Sequence, residues 1–230
     1  MKKTLYFIFA ICTLAIVSCT NDFEQEINDG KFSFSSISAS MGDLPTTRTH
    51  LENGGRVVWD INDQIGIISD TQEDPTLFTC TSVDDNRASF TSNGEISGNS
   101  FIAYYPYKST IWPYDNIAID DDILTYELPR VYSYDETTNL KNFPAIAKSS
   151  TNEFKFKHTC GIIKFSITGN QKLDALYLTG NNDEVIAGTG TIDLSEEIPI
   201  FTISANAEDA SKNIVIFGTQ LSATPTEFYC

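Results

Sequence analysis

Histidine is scarce in this chain: His50 and His158 are the two in 230 residues, and neither belongs to a His-x-His, His-Glu-x-x-His or Cys-His grouping. A zinc centre or an imidazole-activated nucleophile needs such a grouping, so both chemistries lack support. His50 reads as a solvated strand residue and His158 as part of a packed or hydrogen-bonded turn. Cysteine is almost as rare. The five cysteines stand at 12, 19, 80, 160 and 230 with no Cys-x-x-Cys spacing, against a structural zinc or a thioredoxin-like centre. Basic residues are few as well: 15 Lys and Arg face 31 Asp and Glu, a net charge of −16, which disfavours nucleic acid as a partner. The acidity reads as solubility, because the carboxylates are scattered over turns. Helical periodicity beyond the first residues is missing too.

Other site signatures fail on spacing. Asp120-Asp121-Asp122 lacks the Asp-x-Asp-x-Asp-Gly frame with a terminal Glu that a calcium loop needs, and reads as a solvated loop. Gly188-Thr189-Gly190 lacks the six-residue phosphate-loop frame and reads as a turn. Carboxylates are plentiful, yet nothing singles out a pair for glycoside hydrolysis. No metal, cofactor or catalytic residue is expected.

What is present begins with a leader. Lys2-Lys3 precede an apolar run from Leu5 to Val17 that is too short and wrongly flanked for a transmembrane span and fits an export signal over 1–18. The run ends in Ala15-Ile16-Val17-Ser18-Cys19, which resembles a lipobox and implies cleavage before Cys19 and acylation of its thiol and amine. Several acyl chains hold a protein on a membrane far more firmly than one. Thr20 stands where an inner-membrane retention Asp would, and Asp22, Glu24 and Glu26 resemble acidic surface-export signals, which implies a lipid anchor in the outer membrane, facing out. Residues 19–30 read as an acidic tether. With Cys12 lost and Cys19 acylated, Cys80, Cys160 and Cys230 remain, an odd set. A Cys80–Cys160 bridge and two buried thiols both stay open.

From Lys31 the pattern becomes period two: Phe32 and Phe34, then Ser36 or Ile37, alternate with Ser33 and Ser35. Met41 to Pro45 breaks this first strand. Val57-Val58-Trp59 follows an Asn53-Gly54-Gly55 turn, and Ile65, Ile67 and Ile68 follow an Asp60–Asp63 turn, as in consecutive strands. Further strands are expected over 76–81, 87–91, 100–105, 153–157 and 162–167. Residues 107–142 read as irregular, and Gly169-Asn170 as a domain boundary. A second series follows over 173–179, 185–187, 190–194, 198–203 and 213–217. The fold class is all-β, with antiparallel β-sandwich domains over 31–169 and 170–230, the second incomplete.

Several phrases carry a family resemblance: Thr47-Arg48-Thr49, the Val-x-Trp strand ending at Trp59, Asp63-x-Ile65, Ala103-Tyr104-Tyr105-Pro106-Tyr107, Phe156-x-His158-x-x-Gly161, and Ala187 to Leu194. Together they resemble the fimbrillin-like proteins, lipid-anchored fimbrial subunits of anaerobic Gram-negative bacteria. The resemblance implies transthyretin-like sandwiches, no enzymatic activity, and cleavage at Arg48 by an arginine-specific protease that removes the lipidated segment and first strand. Other fimbrial subunits are then partners by strand addition. The family continues beyond the equivalent of Cys230, where its donor strand is expected, so the sequence as written implies a fragment or truncated gene that accepts a strand without donating one. A second reading keeps the anchor and uses Tyr104, Tyr105, Tyr107, Trp112 and Tyr114 as an aromatic surface for a host protein or glycan, since aromatic faces stack on sugars and dominate interfaces.

Acylation at Cys19 is directly checkable. Cys19→Ser is expected to abolish fatty-acid incorporation and move the protein from the membrane fraction to the soluble one; a variant that stays membrane-bound would exclude the anchor.

Overall fold

The computed structural model describes residues 31–42, 59–85, 87–107, 118–120, 122–134 and 143–230. Every regular element among them is a strand. The first eight are β1 (Phe32–Met41), β2 (Gln64–Ser69), β3 (Gln72–Asp84), β4 (Arg87–Gly98), β5 (Phe101–Tyr105), β6 (Ala118–Asp120), β7 (Ile123–Leu128) and β8 (Val131–Ser133). The second eight are β9 (Ala145–Ser149), β10 (Glu153–His158), β11 (Lys164–Ile167), β12 (Ala175–Thr179), β13 (Gly188–Asp193), β14 (Phe201–Ile203), β15 (Asn213–Phe217) and β16 (Thr226–Tyr229). The all-β class expected from the sequence is what the chain adopts.

Seven strands close into a barrel in the order β1-β10-β9-β5-β2-β3-β4. A closed ladder leaves no unpaired edge within the barrel. Its bore is narrow enough for side chains to fill, and Phe78, Phe90, Phe101, Phe154 and Phe156 fill it, each at most 1% exposed. Strand β1 contributes Phe34, Ile37, Ala39 and Met41 to this core, with half-buried serines on its other face. Its inward residues change from even to odd numbers at a bulge between Phe34 and Ser36 in the ladder with β4. A bulge resets which face each later residue takes, so the bulge accounts for the change of phase.

The Asp60–Asp63 turn forms as expected. The Asp60 N–H donates to the Asp63 carboxylate at 2.8 Å, the Asp63 N–H returns to the Asp60 carbonyl at 3.0 Å, and Asn62 takes a φ of 72°. Asn tolerates that left-handed conformation better than most residues. Trp59, just before the turn, belongs to no strand. It enters the barrel core edge-on to Phe90, Tyr105 and Phe156 at 4.9, 5.3 and 5.1 Å.

Outside the barrel lie a four-stranded sheet β14-β13-β7-β6, a three-stranded sheet β12-β15-β8 and the pair β11-β16. Leu124, Tyr126, Leu128, Ile192, Leu194 and Phe201 of the first pack over Tyr104 and Ile146 on the barrel's outer surface. A third core, with Tyr132, Phe143, Ile214, Ile216 and Phe228 at its centre, lies between the other two sheets.

Two expectations need correction. Residues 107–142 are not irregular throughout, since β6, β7 and β8 fall there; β7 alternates buried Leu124, Tyr126 and Leu128 with more exposed neighbours. The boundary at Gly169-Asn170 separates strands that pair: β7 with β13, β8 with β15, and β11 with β16. Backbone ladders thus tie the segments on either side together. The strand expected over 185–187 reduces to a single bridge between Ala187 and Ser211. That over 198–203 shortens to β14, leaving Ile198 and Ile200 exposed.

Phe34 sits 4.7 Å from Phe101 and within 6.2 Å of Phe78 and Phe154, ring centre to ring centre. Phe34→Ala is expected to lower unfolding stability by about 3–5 kcal/mol, while Ser35→Ala, on the exposed face, shifts it by under about 0.5 kcal/mol. Urea unfolding of both variants checks this.

Candidate functional site

The candidate site is the slot that β1 occupies. It is walled by β4, antiparallel to β1, and by β10, parallel to it. The β4 ladder pairs Phe32 with Gly98, Phe34 with Ile96, Ile37 with Phe90 and Ala39 with Ala88. The β10 ladder pairs Ser38 with Glu153 and Met41 with Phe156, and the Gly42 N–H extends it by donating to the Phe156 carbonyl at 2.7 Å. Side-chain polarity adds little: Ser33 Oγ donates to Glu95 at 3.2 Å on the exposed rim. The slot therefore recognises an extended backbone and an alternating apolar pattern rather than particular polar groups.

Of the residues expected to act, Cys19, Arg48, Trp112 and Tyr114 lie outside the described residues, as do His50 and Asp121. The slot and Arg48 are nonetheless adjacent in sequence, because the chain leaves β1 at Gly42 and re-enters the core at Trp59. The aromatic surface is not assembled as expected. Tyr104 and Tyr105 are 4% and 5% exposed, so neither ring is available to a ligand. Tyr105 points into the barrel against Trp59, while Tyr104 lies on the outer face, stacked on half-buried Tyr107 at 6.3 Å. Both faces of β5 are covered, and burial raises the phenol pKa of both tyrosines well above the ordinary value.

The remaining reactive groups are quiet. Cys80, Cys160 and Cys230 are free thiols. Burial pushes them up to about 11, about 12 and about 11, so little thiolate, the nucleophilic form, exists near neutral pH. No group of His, Cys, Asp and Glu among the described residues is arranged to hold a metal ion. Asp122 is exposed, and its carbonyl accepts from the Leu194 N–H at 2.7 Å, a structural use. His158 ends β10 and is 6% exposed. Burial lowers its pKa to about 4, partly offset by the nearby Pro144 carbonyl, yet neither ring nitrogen makes a hydrogen bond of ordinary geometry among the described residues.

The chain matches no family model, and no curated protein or solved structure resembles it at a significant level.

His158 provides a test of this geometry. A buried neutral histidine must charge on unfolding, so its contribution is complete above the unfolded pKa near 6.5 and is lost as pH falls towards the folded value of about 4. The full effect is on the order of 3 kcal/mol. Unfolding free energy is expected to drop between pH 6.5 and 5 in the parent and to stay flatter in His158→Gln; parallel profiles would show that the ring charges freely in the folded state.

Proposed function

We propose that this chain is a non-enzymatic, lipid-anchored surface protein of the fimbrillin-like kind. In this reading Cys19 holds it in the outer membrane, its sandwiches are transthyretin-like, and cleavage at Arg48 prepares it to join other subunits by strand exchange. The observation that carries the reading is the place of β1. It is the strand that closes the barrel, and the chain between it and β2 contains Arg48. One cut there would free the closing strand from the rest of the fold without touching another element.

Energetics make this an exchange rather than a release. Phe34, Ile37 and Met41 are buried, and burial of three such side chains is worth about 5–9 kcal/mol as an upper estimate. Two backbone ladders add to that. A cut chain would therefore keep β1 in place until an incoming strand of similar alternation displaced it residue by residue. The vacated slot would otherwise expose Phe78, Phe90, Phe101 and Phe154 to water, an apolar surface too large to remain uncovered.

The anchored, glycan-binding alternative loses support because Tyr104 and Tyr105 are buried. The proposed reading predicts that protein from its native surface begins at Thr49 in assembled fibres and at acylated Cys19 before processing. Arg48→Ala is expected to keep the Cys19 terminus and to give no fibres. Fibres of normal length from Arg48→Ala would refute it.

A further inference from the structure

A second recognition surface lies on the outer wall of the barrel. Residues of β9 and β10, the end of β1 and the segment before β14 line a groove of about 520 Å³. Lys148, Lys155 and Lys157 stand in it, three of the 15 basic residues of a chain with 31 acidic ones. Their charge is not consumed locally. Lys148 Nζ donates to the Glu196 carbonyl at 2.6 Å, a neutral acceptor, and neither Lys155 nor Lys157 has an ion-pair or hydrogen-bond partner among the described residues. Glu197 is the one carboxylate on the groove wall. Gathering three cations beside one anion costs electrostatic energy that an anionic occupant would offset.

The apolar part of the groove narrows the choice of occupant. Ile198 lines it, and Ile198 and Ile200 are 62% and 65% exposed. No aromatic ring lines the groove, so it lacks the stacking platform that a sugar would use. An extended peptide with carboxylates on one side and apolar groups on the other fits better.

The chain's own acidic segment has that pattern. Asp22, Glu24 and Glu26 recur every second residue, with Phe23 and Ile27 in the opposite phase. Extended, such carboxylates repeat every ~6.6 Å along one face, the same repeat that separates Lys155 from Lys157 on one face of β10. We propose that Asp22–Ile27 of one copy docks in the Lys148/Lys155/Lys157 groove of another.

Reach decides that the contact is between copies. Ser40 pairs with Lys155, so the groove lies eight residues of β1, about 27 Å, from Phe32. The five residues from Ile27 to Lys31 span at most about 18 Å fully extended. A chain cannot place Asp22–Ile27 in its own groove. A neighbour can, and anchoring at Cys19 would crowd neighbours on one surface and raise their effective concentration. The proposal does not depend on Arg48 cleavage or strand exchange.

Sedimentation of the chain from Thr20 onward tests it, since that chain keeps the acidic segment and every described residue. Reversible association is expected in 0.15 M salt and should weaken at least tenfold in 1 M salt, where screening is nearly complete beyond 3 Å. Lys155→Glu/Lys157→Glu and Asp22→Lys/Glu24→Lys/Glu26→Lys should each be folded by circular dichroism and monomeric alone. Mixed, the two reversed chains should restore a one-to-one complex. A parent that stays monomeric up to its solubility limit, a groove variant that associates like the parent, or a mixture that fails to associate would each overturn the proposal.

Discussion

The fold depends on one closure, the seating of β1 between β4 and β10. Six barrel strands follow one another through antiparallel ladders, but β10 meets β1 in parallel, and only that meeting seals the cylinder. The two strands come from opposite ends of the barrel's sequence, so the contact carries a large loop-closure cost that local contacts do not. What repays it is the aromatic interior: Phe34 packs against Phe78, Phe101 and Phe154, contributed by three different strands. The barrel is thus most strongly filled where its chain connectivity is weakest. A strand held by side-chain burial and backbone ladders, with little side-chain polarity, is also the kind that a second strand of like pattern can replace.

The same economy governs how the rest of the chain is attached. Ile68, Ile102, Tyr104 and Ile146 form an apolar stripe on the outside of the barrel, which the sheet containing β7, β13 and β14 covers. Tight approach makes this possible. A Cβ on Gly66 would lie 2.3 Å from the Tyr104 ring, and one on Gly190 would lie 2.4 Å from the Thr202 carbonyl. Both glycines sit in strands, where glycine is usually a loss; here each makes room for a neighbour that completes the interface. Because β7 comes from before Gly169 and β13 from after it, the interface also pins the two halves of the sequence together.

Much of this was legible in the residues. Alternation over Phe32–Phe34, Ile65–Ile67, Phe78–Cys80 and Phe154–Phe156 marks barrel strands because one face of each is core and the other is not. Period two fails where a strand is covered on both faces. Tyr104 and Tyr105 are consecutive aromatics, read as a candidate surface, and both are buried because β5 has the barrel on one side and a sheet on the other. Strand β9 was missed because Ala145-Ile146-Ala147 carries little apolar bulk, and β7 because Asp120 to Asp122 and Pro129 made its surroundings look like loop. Pairing partners were the least legible feature. Alternation gives the face a residue takes but not the strand beside it, so the crossing of Gly169-Asn170 by three ladders had no local signal.

The slot and the groove differ in what they can read, and the difference is physical. In the slot the discriminating groups are backbone amides and apolar side chains held out of water, so affinity follows alternation and length and is nearly indifferent to salt. In the groove the discriminating groups are exposed ammonium ions, each worth little singly and screened over about 8 Å at physiological ionic strength. Contacts of that kind form quickly, are reversible, and steer a highly acidic chain that would otherwise repel its own copies. A molecule carrying both can gather its neighbours loosely through charge while reserving its tight, slow-to-reverse contact for a strand that matches the core.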